Sequence, residues 1–455
     1  MKNYAPGYSR KRGLKPPELY EYSLDNYWFE SAGLDREKIN APLKGSRKAD
    51  VVIIGGGYTG LSAAYNIKRR FPEKHIMLLE GAFCGYGASG RNGGFCSATV
   101  LLDDSKRTDP VAREKCLTVS RYGIRQIERF IDNLGLDCDF EQNGMLEMAM
   151  DDTQARFLEK EGRELSEWGF DVLFLQGESL KNEVKSSRYV AGLFIKEGAT
   201  LNPAKLARGM KRIVEESGVE IREKSVVARV VPGKTHHIDT ELGEVKAPAM
   251  VLATNAYSHK LGFFRNRVFP MCTFVVATAP LSASQWDSIG WQNRQGISDC
   301  RMLFNYAIPS KDGRIVIGGS DFLYYPDDGL SSGNDKSVTR KIIKDLTATF
   351  PQLEGLRIDH TWGGSTAGSL GYRPSVGVMG DHHNIYYGLA YREGVPCAQT
   401  AGRIIADLMA GEDNAFTRHC IVDRSIPYAG PKFLRSTFGS TAKWFMVKMV
   451  RNWGH

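Results

Sequence analysis

The sequence predicts an α/β (α+β) protein: a parallel sheet built from βαβ units, interleaved with a second domain on a large, mainly antiparallel sheet. Three observations carry this. At 455 residues the chain is long enough for two domains. ADVVIIGGGYTGLSAAYNIKRR, from Ala49 to Arg70, reads as strand, glycine turn and helix, and HIMLLE then adds a strand ending at Glu80. Between about Leu261 and Phe350 the pattern turns strand-rich, as in FPMCTFVVATAPL and GRIVIGGSDF.

In chain order, residues 1–48 are expected to form an irregular arm. Its aromatic cluster, Tyr20, Tyr22, Tyr27, Trp28 and Phe29, needs a surface to cover. Asp50–Ile54 is a short β-branched run suited to a strand buried on both faces. A helix follows over 59–70. Val111–Leu134 repeats its apolar residues on a 3.6 period and predicts a long helix. NGMLEMAMDD predicts a strand. GATLNPAKLARGM predicts a helix capped at Asn202-Pro203, with a strand pair after it. Met250–Tyr257, MVLATNAY, reads as a buried strand ending in polar groups. His382-His383 reads as a solvated turn, and NIYYGLAYREGVPCAQTAGRIIADLMAG then runs from strand through turn to helix.

Composition narrows the class. Eight cysteines without a C-x-x-C pair argue against a metal site or a disulfide framework, and fit a reducing compartment. No apolar run approaches the roughly eighteen residues of a membrane span, and the basic N-terminus lacks a signal peptide's apolar core. The expectation is a cytoplasmic protein. Net charge is +8, and residues 430–455 supply five of those charges without one acid. No nucleic-acid motif accompanies them, so no nucleic-acid partner is expected. Leu434, Phe438, Phe445, Met449 and Trp453 recur at helical spacing. The tail is therefore either a basic helix packed on the body or a peripheral contact with anionic membrane at its inner face.

Gly55, Gly57 and Gly60 match G-x-G-x-x-G, with Tyr58 and Thr59 opening the helix. The first glycine permits the turn, the second admits a pyrophosphate, and the third lets helix and strand close up. The helix N-terminus then faces the phosphates. Glu80 ends the next strand, where a carboxylate accepts both hydroxyls of an adenosine ribose. NAD and FAD both satisfy this much. GYGASGRNGGF, from Gly85 to Phe95, favours FAD: a second glycine-rich loop directly after the ribose position has no use in a two-domain NAD dehydrogenase.

With these motifs in order, followed by LATNAY, ATAPL, DGRIVIGG, the WGG at Trp362, YRPSVG and GRIIADLMAG, the chain resembles the glycine oxidase/D-amino-acid oxidase superfamily of FAD-dependent oxidoreductases from about Tyr27 to Asp413. Within it the likeness is greatest to the γ-glutamylputrescine oxidoreductase branch. The resemblance implies a Rossmann-like FAD-binding domain over 49–105, 195–260 and 355–428, a substrate domain over 106–194 and 261–354, an arm over 1–48 and a tail over 430–455. It implies that Ser89, Gly90, Arg91, Asn92 and Gly94 run along the pyrophosphate and ribityl chain. It places Val227 at the adenine, Thr254 and Asn255 at the pyrophosphate, and the turn Tyr391 to Val395, including Gly394, at the flavin's pyrimidine edge. Arg91 also has a plainer reading as a structural surface arginine.

The implied activity is oxidation of a C–N bond by hydride transfer to flavin N5, giving an imine that hydrolyses to a carbonyl product. FAD is expected to be noncovalent, although Cys96 and Cys397 are candidates for a linkage. The substrate is expected to be a small amine, and the electron acceptor O2 or a quinone-type molecule. Tyr306, Trp362, Tyr372, Tyr391 and Arg392 are the candidates around the reacting carbon. Two departures bear on substrate. Amino-acid-oxidising relatives carry Y-x-R, and here that arginine position is Ile308. The family's Y-S-G-H-G-V turn is one residue shorter, YREGVP. An amino-acid or N-methyl amino-acid oxidase is the alternative enzyme. A flavin-binding, membrane-docked module with altered chemistry is the alternative of another class.

Overall fold

The computed structural model describes residues 26–34, 39–99, 101–324, 333–370, 374–391 and 393–430. The basic tail beyond Gly430, the first twenty-five residues, Tyr372, Arg373 and Arg392 lie outside the described residues. One sheet has six strands, in the order Ser375–Met379, Ile385–Leu389, Ala249–Leu252, Val51–Ile54, Ile76–Leu79 and Glu220–Arg222. Neighbours pair in parallel throughout, except the antiparallel edge strand Ser375–Met379.

VVII and IMLL are buried at every position, and their period of two sorts them between two cores. Val51, Ile53, Ile76 and Leu78 face a helical layer with Leu61, Ala64, Ile67 and Ile404. Val52, Ile54, Met77 and Leu79 face Val230, Ile238 and Val245 of a small four-stranded sheet. Each such side chain contributes roughly 1.5–3 kcal/mol on burial. The helical layer comprises Tyr58–Arg70, Pro110–Leu134, Pro203–Glu216 and Gly394–Met409. Asn202 caps the third of these, its side chain accepting from the N–H groups of Ala204 and Lys205, as its sequence predicts.

The second large sheet has eight strands, ordered Ile358–Ser369, Val268–Thr278, Ile315–Leu323, Asn305–Pro309, Gly296–Asp299, Met145–Ala149, Ala191–Ile195 and Val172–Gln176. Its pairs are antiparallel except for Gly296–Asp299 against Met145–Ala149. It is the expected mainly antiparallel sheet. Its edge strand, Ile358–Ser369, carries Trp362.

Two local expectations are corrected. The strand expected to run to Tyr257 stops at Leu252, and Asn255–Leu261 is a 3-10 helix. Asn255 takes φ +41, a left-handed conformation that no strand accommodates. The arm is not wholly irregular. Tyr27–Ser31 forms a short helix capped by Asn26, and Gly45–Lys48 pairs in parallel with Gly243–Ala247.

Candidate active site at the carboxyl edge of the parallel sheet

Five parallel strands deliver their carboxyl ends to one edge, where ligands bind in open α/β sheets. Val51–Ile54 leads into Gly55, Ile76–Leu79 into Glu80, Ala249–Leu252 into Thr254 and Asn255, and Ile385–Leu389 into Tyr391. Residues far apart in sequence thus meet because the crossovers are parallel.

The glycine turn is as tight as its pattern implies. Gly55 sits at φ +108, and a Cβ there would come within 2.6 Å of the Ala253 carbonyl oxygen. A Cβ on Gly60 would run into the Gly55 carbonyl oxygen. The helix beginning at Tyr58 has Gly57 as its cap residue and so no capping side chain of its own. Ser89, from the second glycine loop, supplies one: its Oγ accepts the Tyr58 N–H at 2.9 Å. The two glycine motifs are therefore one structure.

Glu80 accepts the Gly56 N–H on Oε2 at 2.7 Å and the Ala82 N–H on Oε1 at 2.9 Å. A carboxylate offers about four acceptor positions, so each oxygen retains capacity for a ribose hydroxyl. Burial raises its pKa to about 7, against the lowering effect of the backbone N–H bonds, and Glu223 adds to the rise. Val226 packs within 3.4 Å of where a Cβ on Gly81 would sit, which sets Val227 beside the turn that follows Glu80.

The second loop is held from three sides. Asn92 donates to Ser89 O at 2.9 Å and accepts the Gly94 N–H at 2.9 Å. Asn26 donates to Gly90 O, and Trp28 Nε1 donates to Asn92 O. Trp362 Nε1 donates to Arg91 O at 2.9 Å. Arg91 is not on the surface: it is 3% exposed, lies over the Phe29 and Tyr86 rings, and donates Nε–H to Tyr86 O. Burial lowers its pKa. Tyr27, Trp28 and Phe29 of the arm's aromatic cluster are buried against this loop, a surface the sequence alone does not locate; Tyr20 and Tyr22 lie outside the described residues.

Tyr306 and Ile308 project from the same face of Asn305–Pro309 onto Gly93 and Gly94. A Cβ on Gly93 would strike the Tyr306 ring, and one on Gly94 would lie 2.7 Å from Ile308 Cδ1. Burial raises the Tyr306 hydroxyl's pKa. Ile308 is 2% exposed and clusters with Val275, Val316 and Trp362. Trp362 is itself buried, with its N–H committed to the loop, so it acts as packing beneath the loop. Across the edge, Thr59 Oγ1 lies 3.4 Å from the Tyr391 hydroxyl, whose pKa burial also raises. Thr254 Oγ1 bonds the Ser258 hydroxyl, and Asn255 Oδ1 accepts the Ala390 N–H at 3.2 Å. Gly394 and Val395 open the helix Gly394–Met409. Cys96 and Cys397 are buried, and burial, with Glu393 nearby, pushes both thiols well up.

A glycine-lined turn, a helix start capped from the next loop, and a part-buried carboxylate with acceptor capacity fit the adenosine and pyrophosphate of FAD. The profile of the DAO family, FAD dependent oxidoreductase, matches residues 50–408. The chain is a DAO-family FAD-dependent oxidoreductase. Among its curated relatives, gamma-glutamylputrescine oxidoreductase of Escherichia coli (strain K12) is 30% identical over 410 residues, 87% of this chain and 91% of the relative. "Probable oxidoreductase OrdL" of Haemophilus influenzae is also 30% identical over 410 residues, 87% of this chain and 90% of that protein. The glycine oxidase structure from Geobacillus kaustophilus superposes with a TM-score of 0.71 at 18% identity, covering 84% of this chain and all of that one, which establishes the shared fold. This DAO-family enzyme uses FAD and acts on C–N bonds of amines or amino acids. No helix among the described residues is long and apolar enough to cross a membrane.

Proposed function

We propose that the substrate is a primary or secondary amine with a polar tail rather than an α-amino acid. The observation that carries this is Ile308. Where relatives present an arginine to a substrate carboxylate, this chain has an apolar side chain sealed beneath Gly94. A carboxylate brought there would be desolvated without a partner, at a cost of several kcal/mol. The name of the Escherichia coli relative, an oxidoreductase of an amine derivative, supports the same class.

FAD supplies the hydride acceptor at N5. The chain's part is to bind, orient and desolvate. Gly55–Gly60, Glu80, Ser89–Gly94, Val227, Thr254, Gly394 and Val395 are proposed to hold the cofactor directly, and Asn255, at the pyrophosphate side, through the backbone it holds. Tyr306, Tyr391 and Arg392 are proposed to border the amine, with Trp362 acting from beneath the loop. An alkyl ammonium has a pKa near that of lysine, about 10.4, and must lose a proton before its C–H bond gives up hydride. The aromatic wall formed by Phe95 and Tyr306, 5.6 Å apart in edge contact, disfavours the ammonium and promotes the neutral amine. Hydride loss then leaves an imine, and water converts it to a carbonyl compound and the freed amine.

Anaerobic flavin bleaching tests the assignment: simple amines should reduce the flavin faster than the matching α-amino acids. Faster reduction by an α-amino acid would make the chain an amino-acid oxidase, the activity that the glycine oxidase relatives represent. We further propose a cytoplasmic enzyme whose basic tail touches anionic membrane, consistent with a quinone-type acceptor in place of O2. Truncation after Gly430 should then abolish cosedimentation with anionic vesicles.

A further inference from the structure

We infer that Asn255 is a positioning residue: it clasps Ala390 in a left-handed conformation and so sets the shortened turn that carries Tyr391. The inference rests on the reading that this turn borders the flavin. Asn255 and Ala390 follow adjacent parallel strands, Ala249–Leu252 and Ile385–Leu389, at the cofactor edge of the sheet. Both are non-glycine residues at positive φ, +41 and +64. Asparagine enters that region readily, alanine rarely. Two such residues in direct contact, Ala390 N–H donating to Asn255 Oδ1 at 3.2 Å, mark strain that the surroundings hold in place, and such strain gathers at functional sites.

A left-handed Ala390 turns the backbone directly after the strand Ile385–Leu389. The reversal folds Tyr391 back over Gly388: a Cβ on Gly388 would come 2.5 Å from the Tyr391 hydroxyl and 3.1 Å from Thr59 Cγ2. Tyr391 thereby reaches Thr59, in the first turn of the helix after the glycine motif. Ala390 itself is 3% exposed and locked among Leu252, Ala256 and Leu389. The Asn255 carboxamide therefore acts on the cofactor edge through the backbone of its neighbour.

Substitutions separate this role from direct contact with FAD. Asn255→Gly keeps the left-handed backbone but removes the acceptor. It should weaken FAD binding about tenfold, the equivalent of one unheld strained residue, and shift the visible spectrum of the bound flavin. Asn255→Asp keeps the acceptor and should preserve the spectrum, while its new charge beside the pyrophosphate lowers affinity. Ala390→Gly needs no clasp, so the double variant Asn255→Gly/Ala390→Gly should recover affinity and spectrum. Circular dichroism confirms that each variant is folded. Failure of Ala390→Gly to rescue, or a shifted flavin spectrum in Asn255→Asp, overturns the clasp and makes Asn255 a direct ligand. Tyr391→Ala is the control for the underlying reading. An unchanged flavin spectrum in that variant would place the turn away from the flavin and remove the basis of the proposal.

Discussion

Removing the Glu80 carboxylate tests the cofactor site most sharply. In the FAD-free folded chain its pKa stands at about 7, raised mainly by burial from an ordinary 4.5. Between these values the folded chain keeps a proton that the unfolded chain has lost. This contribution to stability is therefore full below about pH 4.5 and is lost as pH rises through about 7, by about 3 kcal/mol in all. FAD binding runs the other way. The ribose hydroxyls donate hydrogen bonds, which only the ionised carboxylate accepts on both oxygens, so binding expels the proton. Native FAD affinity should rise about tenfold from pH 6 to pH 8, as the ionised fraction rises. Glu80→Ala removes the hydroxyl acceptors at a cost of about 1.5–3 kcal/mol, roughly ten- to hundredfold in Kd, and should flatten that pH dependence. The variant also strands the Gly56 and Ala82 N–H groups, but it removes a part-buried carboxylate whose charge is disfavoured there, so its thermal stability should fall less than its affinity. Titration of flavin-stripped protein with FAD, followed by fluorescence at both pH values, reads both effects. A pH-independent native Kd, or an unchanged Kd in Glu80→Ala, would refute the ribose assignment.

Three further outcomes are expected. Acid precipitation should release the flavin into the supernatant, because Cys96 and Cys397 are buried thiols held protonated and only thiolates attack; flavin in the pellet would show a covalent link. Trp362→Phe should lower stability by about 2–4 kcal/mol through lost volume and an unsatisfied Arg91 carbonyl, and flavin should dissociate faster; denaturant melts and flavin release rates measure both. Ile308→Arg, which restores the arginine of amino-acid-oxidising relatives, should cost about 3–5 kcal/mol as an unpaired buried charge and confer no preference for amino acids; a stable variant that bleaches faster with an α-amino acid would contradict the sealed position of Ile308.

The βαβ unit was legible because its signals are local. VVII needs cover on both faces, and Gly55 and Gly60 sit where their own turn leaves no room for a Cβ. The cap Asn202 was legible for the same reason. What escaped the sequence depends on distant partners. Ser89 caps a helix thirty-one residues earlier, and the indole of Trp362 meets Arg91 across 271 residues. Arginine is usually exposed, so nothing local announced that Arg91 would be buried between Phe29 and Tyr86. The strand was expected to run past Leu252 into TNAY, and the left-handed Asn255 that no strand accommodates answers to Ala390, far away in sequence.

The second glycine loop touches everything at once. Ser89 closes the first helix of the parallel sheet, Arg91 and Gly93 are gripped by strands of the antiparallel sheet, and the arm lies across Gly90 and Asn92. A cofactor lying along such a loop becomes a shared internal part of the whole molecule. Its binding energy enters the folding equilibrium by mass action, adding RT ln(1 + [FAD]/Kd) to the stability of both sheets together. Flavin supply in the cell would then govern how long the protein survives as well as how fast it works, and chains made during flavin shortage would be the first degraded.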